Sequence, residues 1–340
     1  MSGHHSRSVL FPGIGPEGQE KIGRFRVVFV GVGAVGAAAA ELAVRAGVGT
    51  VTLVDRDVVE PSNLSRQLLF DAEDAAQVRP KATAAAARLA EIDPSVPVSA
   101  VVADLEPANA RSILAGHDLV FDGSDNFETR LLVSDASRAL GLPSVYAACV
   151  GEEGRIAVSV PGETPCLRCW LEALPPPGEG PTCDTAGVVP TLPALVAAIG
   201  LTEALRFAVG AGPAPGLLAL TLWEGGFRTH RLFEGSKASA ACPVCSRRSY
   251  PALDAGAAAE TVKLCGRQSV QIAKAGRVRP DFDRLERRLS PLGRIRRSPE
   301  LLNADLPDVS LTIFSDGRCV VRGTDDPARA RAYYDRYLGS

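Results

Sequence analysis

Residues 26–67, RVVFVGVGAVGAAAAELAVRAGVGTVTLVDRDVVEPSNLSRQ, limit what this chain can fold into more than any other stretch. The segment opens on an apolar run, Val27 to Val30, that stops at Gly31. Such a run predicts a buried parallel strand. Gly31-Val32-Gly33-Ala34-Val35-Gly36 follows, then an alanine-rich helix over 37–46, then a second apolar strand over 50–54 that ends in Asp55. Strand, glycine turn, helix, strand and acid make a nucleotide-binding βαβ unit. The glycines permit the tight turn and let a phosphate approach N–H groups at the helix N-terminus. Asp55 stands where a carboxylate accepts hydrogen bonds from ribose hydroxyls. Taken alone, the pattern points more often to NAD or FAD than to ATP.

The residues after Asp55 shift that balance. Asp57, Asn63, Arg66 and Gln67 lie in one short segment, and Lys81 opens another alanine-rich helix over 81–92. A pyrophosphate cradled by a helix N-terminus does not also need an Arg and a Lys. A triphosphate split between its α and β phosphorus atoms does, because charge builds on the leaving pyrophosphate. Arg offers a planar fork to phosphate oxygens and Lys a mobile point charge. The plainer alternatives are that Ser62 or Asn63 caps a short helix and that Arg66 is a surface cation. Position favours a ligand role, since ligands of open α/β sheets bind beyond the carboxyl ends of strands.

Further strands are expected over 96–102, 118–122 and 143–150, with helices over 107–115 and 130–139 between them. Residues 151–160 read as a strand pair. The expected fold is α/β, a doubly wound Rossmann-like sheet. Asp122 ends the strand over 118–122, and Asp125 and Asn126 follow in the turn after it. An acid beside three phosphates is useful when a divalent cation bridges them, so Asp125 implies Mg²⁺. Asp125 also suits the cap of the next helix. Cys166-Leu-Arg-Cys169 and Cys242-Pro-Val-Cys245 are the second strong signal. Each C-x-x-C turn supplies one edge of a tetrahedron, and two complete a Cys₄ zinc site. A redox dithiol is the weaker reading. Cys183 lies in a loop rich in Pro and Gly over 175–187.

VDRDVVEPSNLSRQLLF, then Lys81, then DGSDNFETR at 122–130, resemble the ThiF/MoeB/HesA family of adenylyltransferases, relatives of ubiquitin-activating enzymes. The resemblance covers roughly residues 6–248. It implies ATP contacts at Gly33, Asp55, Asn63, Arg66, Lys81 and Asp125. It also implies a homodimer in which Arg7 reaches the partner subunit's ATP. Cys183 matches a cysteine that the family uses conditionally to form a thioester or acyl-disulfide. The implied acceptor is a ubiquitin-like sulfur-carrier protein, whose C-terminal carboxylate is adenylated. No rhodanese-like motif follows, so sulfur is expected from a separate sulfurtransferase. Gly31, Gly36, Asp57, Gln67 and Asn126 complete the expected nucleotide contacts. A NAD-dependent oxidoreductase on the same fold and a non-catalytic nucleotide-binding scaffold are the competing readings.

Two units are expected: an adenylation unit over 1–249, with a nucleotide-binding half over 25–150 and a zinc and carrier-binding part over 151–249, and a small α+β unit over 250–340. The second unit resembles a C-terminal extension of some ThiF-type proteins. Within 340 residues, 46% are hydrophobic, 22% are charged and the formal net charge is −2. That balance gives no bias toward nucleic acid or anionic membrane. The apolar stretch 192–210 contains Glu203 and Arg206 and predicts a core or interface helix. No export signal is visible, so the expected compartment is the cytoplasm. Between 263 and 297 eleven Lys/Arg face three Asp/Glu, an excess that suits docking of an acidic carrier or a solvated helix face.

Overall fold

Strand and helix alternate as the apolar runs require. The computed structural model describes residues 3–171, 186–214, 216–233, 237–254, 261–263, 268–272 and 279–338. Two short helices, α1 (Ser6–Leu10) and α2 (Gly15–Ile22), precede β1 (Arg26–Val30), α3 (Ala34–Arg45) and β2 (Thr50–Asp55). Then come α4 (Ala72–Gln77), α5 (Lys81–Ile92), β3 (Val98–Val102), α6 (Pro107–Leu114), β4 (Leu119–Asp122), α7 (Phe127–Leu140) and β5 (Ser144–Val150). Strand β6 (Glu153–Ser159), α8 (Leu167–Trp170), a helix over Leu192–Val209, β7 (Leu217–Thr221) and β8 (Arg228–Leu232) finish the first sheet. Its order is β3-β2-β1-β4-β5-β6-β7-β8, parallel through β5 and antiparallel beyond. Residues 151–160 therefore form one strand and not two. The turn at Gly151 reverses the chain so that β6 pairs directly with β5.

The strands read as continuous apolar runs because both faces are covered. On β1, Val27 and Phe29 pack toward α3, α5 and the 192–209 helix, whereas Val28 and Val30 pack toward α6 and α7. Alanines 37–40 and Ala43 let α3 lie close to Leu192, Val196, Ala197, Leu201 and Ala204. By length and composition the 192–209 helix could cross a membrane. Its apolar stripe is nevertheless spent in this core, as the sequence predicts.

A second sheet follows, of β9 (Thr261–Lys263), β10 (Ser269–Ile272), β11 (Arg294–Arg297), β12 (Leu301–Asp305), β13 (Ser310–Phe314) and β14 (Cys319–Arg322). Its order is β11-β12-β13-β14-β10-β9, antiparallel throughout. The helices Phe282–Leu289 and Pro327–Leu338 cover one face. The stretch 294–303, which reads as a single strand, is a hairpin. Ser298-Pro299 interrupts the ladder, and Ser298 N–H donates to Leu301 O at 2.9 Å.

Candidate active site

Strands β1 and β4 are neighbours although β2 and β3 intervene in sequence, so the strand order reverses between them. Ligands of doubly wound sheets bind at such a point. The glycine turn closes directly onto the end of β4. A Cβ on Gly36 would lie 1.8 Å from Gly31 O, and one on Gly31, whose φ is +84°, would meet Gly123 O at 2.8 Å. Only glycine fits at both positions, and the fit locks the turn to the loop that carries Asp125. Gly33 is the N-cap residue of α3, and Gln67 Nε2 lies 3.9 Å from where its Cβ would be.

Asp55, at the end of β2, is 9% exposed. Its carboxylate accepts from Val32 N–H at 2.6 Å and Asp57 N–H at 2.7 Å. It therefore ties the glycine turn to the segment after β2. Burial pushes the Asp55 carboxyl up, against the opposing pull of Lys81. Lys81, at the start of α5, is 4% exposed. Its Nζ lies 3.3 Å from Asp57 Oδ2, and its N–H donates to Asp57 O at 2.9 Å. Asp57 thus holds Lys81 at its backbone and at its ammonium, and the Lys81 charge acts on buried Asp55. Asn63 is buried and caps its own turn, accepting from Glu60 N–H at 3.0 Å. Arg66 is one helical turn on and donates to Ser62 O at 2.9 Å.

On the other side of the crevice Asp122 is buried and accepts from Ser124 Oγ at 2.6 Å. The cap of α7 is Asn126, whose Oδ1 accepts from Thr129 N–H at 2.8 Å. The Asp125 carboxylate is therefore exposed and free of the capping role that the sequence also suited. Arg7 lies on α1, beside His5, which packs against Gly47 beyond the C-terminus of α3. A helix of 12 residues is about 18 Å long at 1.5 Å per residue, so Arg7 is remote from this chain's own glycine turn. Cys183 lies outside the described residues. Gly187 and Val189 are anchored at the carboxyl end of β5, because Gly151 N–H donates to Gly187 O at 2.9 Å and Val189 N–H to Gly151 O at 2.8 Å.

Two cations escape a reading of the sequence. Arg56 is partly buried and bridges Asp57 and Asp104, with Nη1 3.2 Å from Asp104 Oδ2. Burial pulls its pKa down, but Asp104, Asp57 and Asp125 outweigh that and raise it. The Asp-Arg-Asp run at 55–57 was the available signal. Arg130 is buried, donates to Ser124 O at 2.6 Å and Tyr146 Oη at 2.8 Å, and lies over the Tyr146 ring. It braces the loop before Asp125 from within α7.

The four predicted cysteine ligands converge. Cys166 Sγ lies 3.9 Å from Cys169 Sγ and 3.6 Å from Cys242 Sγ, and Cys169 Sγ lies 3.8 Å from Cys245 Sγ. All four sulfurs fall within 4.8 Å of one another. A tetrahedral zinc with Zn–S bonds of about 2.3 Å has S–S edges of about 3.8 Å, so the donor set fits that ion. Burial, then the neighbouring sulfurs, push the Cys166 thiol up; a divalent cation among them reverses that preference. The cluster is tied to α7 by Arg168, which forms a bidentate pair with fully buried Asp135 at 3.0 Å. Asp135 also accepts from Ala252 N–H at 2.8 Å.

The family model of the ThiF family matches residues 5–244. The sulfur carrier protein ThiS adenylyltransferase of Bacillus subtilis is 39% identical over 340 residues, the whole of both chains. The sulfur carrier protein adenylyltransferase of Thermus thermophilus is 42% identical over 248 residues, 71% of this chain and 89% of that one. The crystal structure of E. coli MccB with MccA-N7isoASN shares the fold, with a TM-score of 0.62 at 19% identity over 72% of this chain and 74% of that one. With most of the chain matched and a relative aligned from end to end, this protein belongs to the ThiF family.

Proposed function

We propose that this chain adenylates the C-terminal carboxylate of a ubiquitin-like sulfur-carrier protein. The carboxylate attacks the α-phosphorus of ATP, the bond to the β-phosphate oxygen breaks, pyrophosphate leaves, and an acyl-adenylate remains. The observation that carries this reading is the buried Lys81, held at both ends by Asp57 beside the glycine turn. A cation fixed there stabilises charge on departing pyrophosphate, which hydride transfer to NAD does not need. Asp55 would hold the ribose, and the turn at Gly33 the phosphates. Arg66, Gln67 and Asn63 would line the same approach, with Gln67 Nε2 already beside Gly33. The carboxylate is already a nucleophile, so positioning and electrostatics suffice and no general base is required.

Asp125 is the proposed Mg²⁺ residue, supported by a carboxylate that is exposed and not used as a helix cap. When bound, the ion would neutralise phosphate charge. Zinc in the Cys166, Cys169, Cys242 and Cys245 cluster would be structural, since four thiolates close its coordination sphere. Cys183 is proposed to take the acyl group from the adenylate as a thioester, with AMP leaving. A homodimer is proposed in which the partner copy supplies Arg7. Its support is α1 itself, remote from its own crevice, next to exposed Leu10 and Phe11. A protein acceptor is supported by the outer strand β8, flanked by exposed Trp223 and Phe227. In the test, a carrier ending in a free Gly-Gly carboxylate is incubated with Mg·ATP and the adduct read by mass spectrometry. An AMP adduct is expected, and none on the same carrier with an amidated C-terminus. An adduct on both carriers would defeat the assignment of the carboxylate.

A further inference from the structure

The C-terminal sheet has two buried faces but helices on only one. Val270, Ile272, Leu302, Leu311, Ile313 and Val321 pack beneath the helices 282–289 and 327–338. The opposite face presents Ser269, Gln271, Asn303 and Thr312, polar residues suited to water, yet each is buried. What covers it is the loop that follows β2. Leu301, Phe314 and Val320 share one apolar cluster with Val58 and Val78.

Two polar contacts pin the same loop from the C-terminal side, and a third reaches it through Asp104 beyond β3. Arg322 Nη2 pairs with Glu60 Oε1 at 2.6 Å. Gln271 Nε2 donates to Asp104 Oδ2 at 3.1 Å, the carboxylate that also holds Arg56. Arg318, wholly buried, donates from Nε to Asp316 at 2.6 Å, lies over the Phe314 ring, and points Nη1 at Arg56 O at 3.5 Å. A small cavity bounded by Asp57, Ser269, Thr312 and Arg322 lies inside this interface.

Two stretches gripped in this way adjoin candidate nucleotide contacts. Glu60 and Asn63 form a reciprocal capping box, the Glu60 carboxylate accepting from the Asn63 N–H. Asp57 lies between gripped Arg56 and gripped Val58, and it holds Lys81. A loop beyond a strand end is ordinarily covered by water and free to move. Here its outer side is held by charge pairs and buried apolar contact over 56–60.

We infer that the C-terminal unit positions the 56–63 loop for nucleotide binding, and that Arg322 and Arg318 are positioning residues that act through Glu60 and the Arg56–Asp57 backbone. The inference rests on the adenylation reading for its chemistry, though not for its geometry. It gives the C-terminal extension a role at the nucleotide, distinct from docking of the carrier.

The test uses the full-length chain and compares Arg322→Ala, Arg322→Lys, Glu60→Gln and the double variant Arg322→Ala/Glu60→Gln. Thermal melts first establish that each is folded. Equilibrium ATP binding, KM for ATP in pyrophosphate exchange, and carrier binding without ATP are then measured separately. Arg322→Ala should weaken ATP binding and raise its KM about tenfold, with carrier affinity unchanged, and Arg322→Lys should recover most of it. The double variant should be no worse than the poorer single one, as expected of groups acting through one contact. Unchanged ATP binding in folded Arg322→Ala would overturn the inference, as would an effect confined to carrier affinity. If wild-type protein catalyses no carrier-dependent exchange, the adenylation reading falls, and the ATP-binding comparison still decides whether the unit positions the loop.

Discussion

Lys81 illustrates how much one residue depends on its surroundings. A lysine buried to 4% exposure keeps its charge only beside a carboxylate, and Asp57 provides it at 3.3 Å. Lys81→Ala is expected to lower kcat for adenylation about 10²–10³-fold, the usual loss of one transition-state charge contact. Near-wild-type kcat in single-turnover kinetics would exclude Lys81 from the reaction. Asp55 predicts a pH dependence. Its carboxyl is raised by burial above the ordinary aspartate value of about 3.9. The folded state thus holds this proton more tightly than the unfolded chain. Ionised Asp55 costs stability above the unfolded pKa, and acidification through the folded pKa removes that cost. The same protonation removes an acceptor from the ribose. KM for ATP should therefore rise on acidification, beginning at a higher pH than a free aspartate would allow. A pH profile of KM that is identical in Asp55→Asn would contradict this.

Among the elements, the cysteine turns do the stapling. The turn at α8 and the turn at Pro243–Arg247 meet at their four sulfurs, and the Arg168–Asp135 pair ties the first of them to α7. Cys242→Ser is expected to release one equivalent of zinc per chain by metal analysis and to cost roughly a few kcal/mol of stability, since structural zinc binding is folding free energy. Full retention of metal in that variant would exclude the site. The same elements show what a sequence displays and what it hides. Strands β1, β2, β4 and β5 are legible because burial on both faces leaves unbroken apolar runs such as Val27–Val30. The cysteine pairs are legible because spacing dictates their geometry. The hairpin at β11 and β12 is hidden, because Arg294-Ile-Arg-Arg alternates too little to mark where one strand ends. Asp125 and Asn126 both suit an N-cap, and only the backbone at α7 selects Asn126. The docking of the C-terminal sheet is hidden for a further reason. Gln271, Asn303 and Thr312 alternate with apolar residues as they would on a solvated face, and no local pattern reports that another unit covers them.

For the whole molecule, the proposed homodimer, in which Arg7 serves the partner copy's site, makes its own prediction. Arg7→Ala and Arg66→Ala should each be nearly inactive alone. Mixed in equal amounts and allowed to exchange subunits, they should recover about a quarter of the wild-type rate. A two-fold interface gives half heterodimers, each with one intact site. No recovery in a mixture shown to exchange would remove Arg7 from the partner's site. The central claim, carrier adenylation, is tested most directly by ATP–pyrophosphate exchange with and without a ubiquitin-like carrier, with Arg66→Ala and Asp125→Ala measured alongside. The account predicts exchange that depends on the carrier and is lost in both variants. ATP binding without exchange in the presence of a competent carrier, or binding of NAD in preference to ATP, would contradict it.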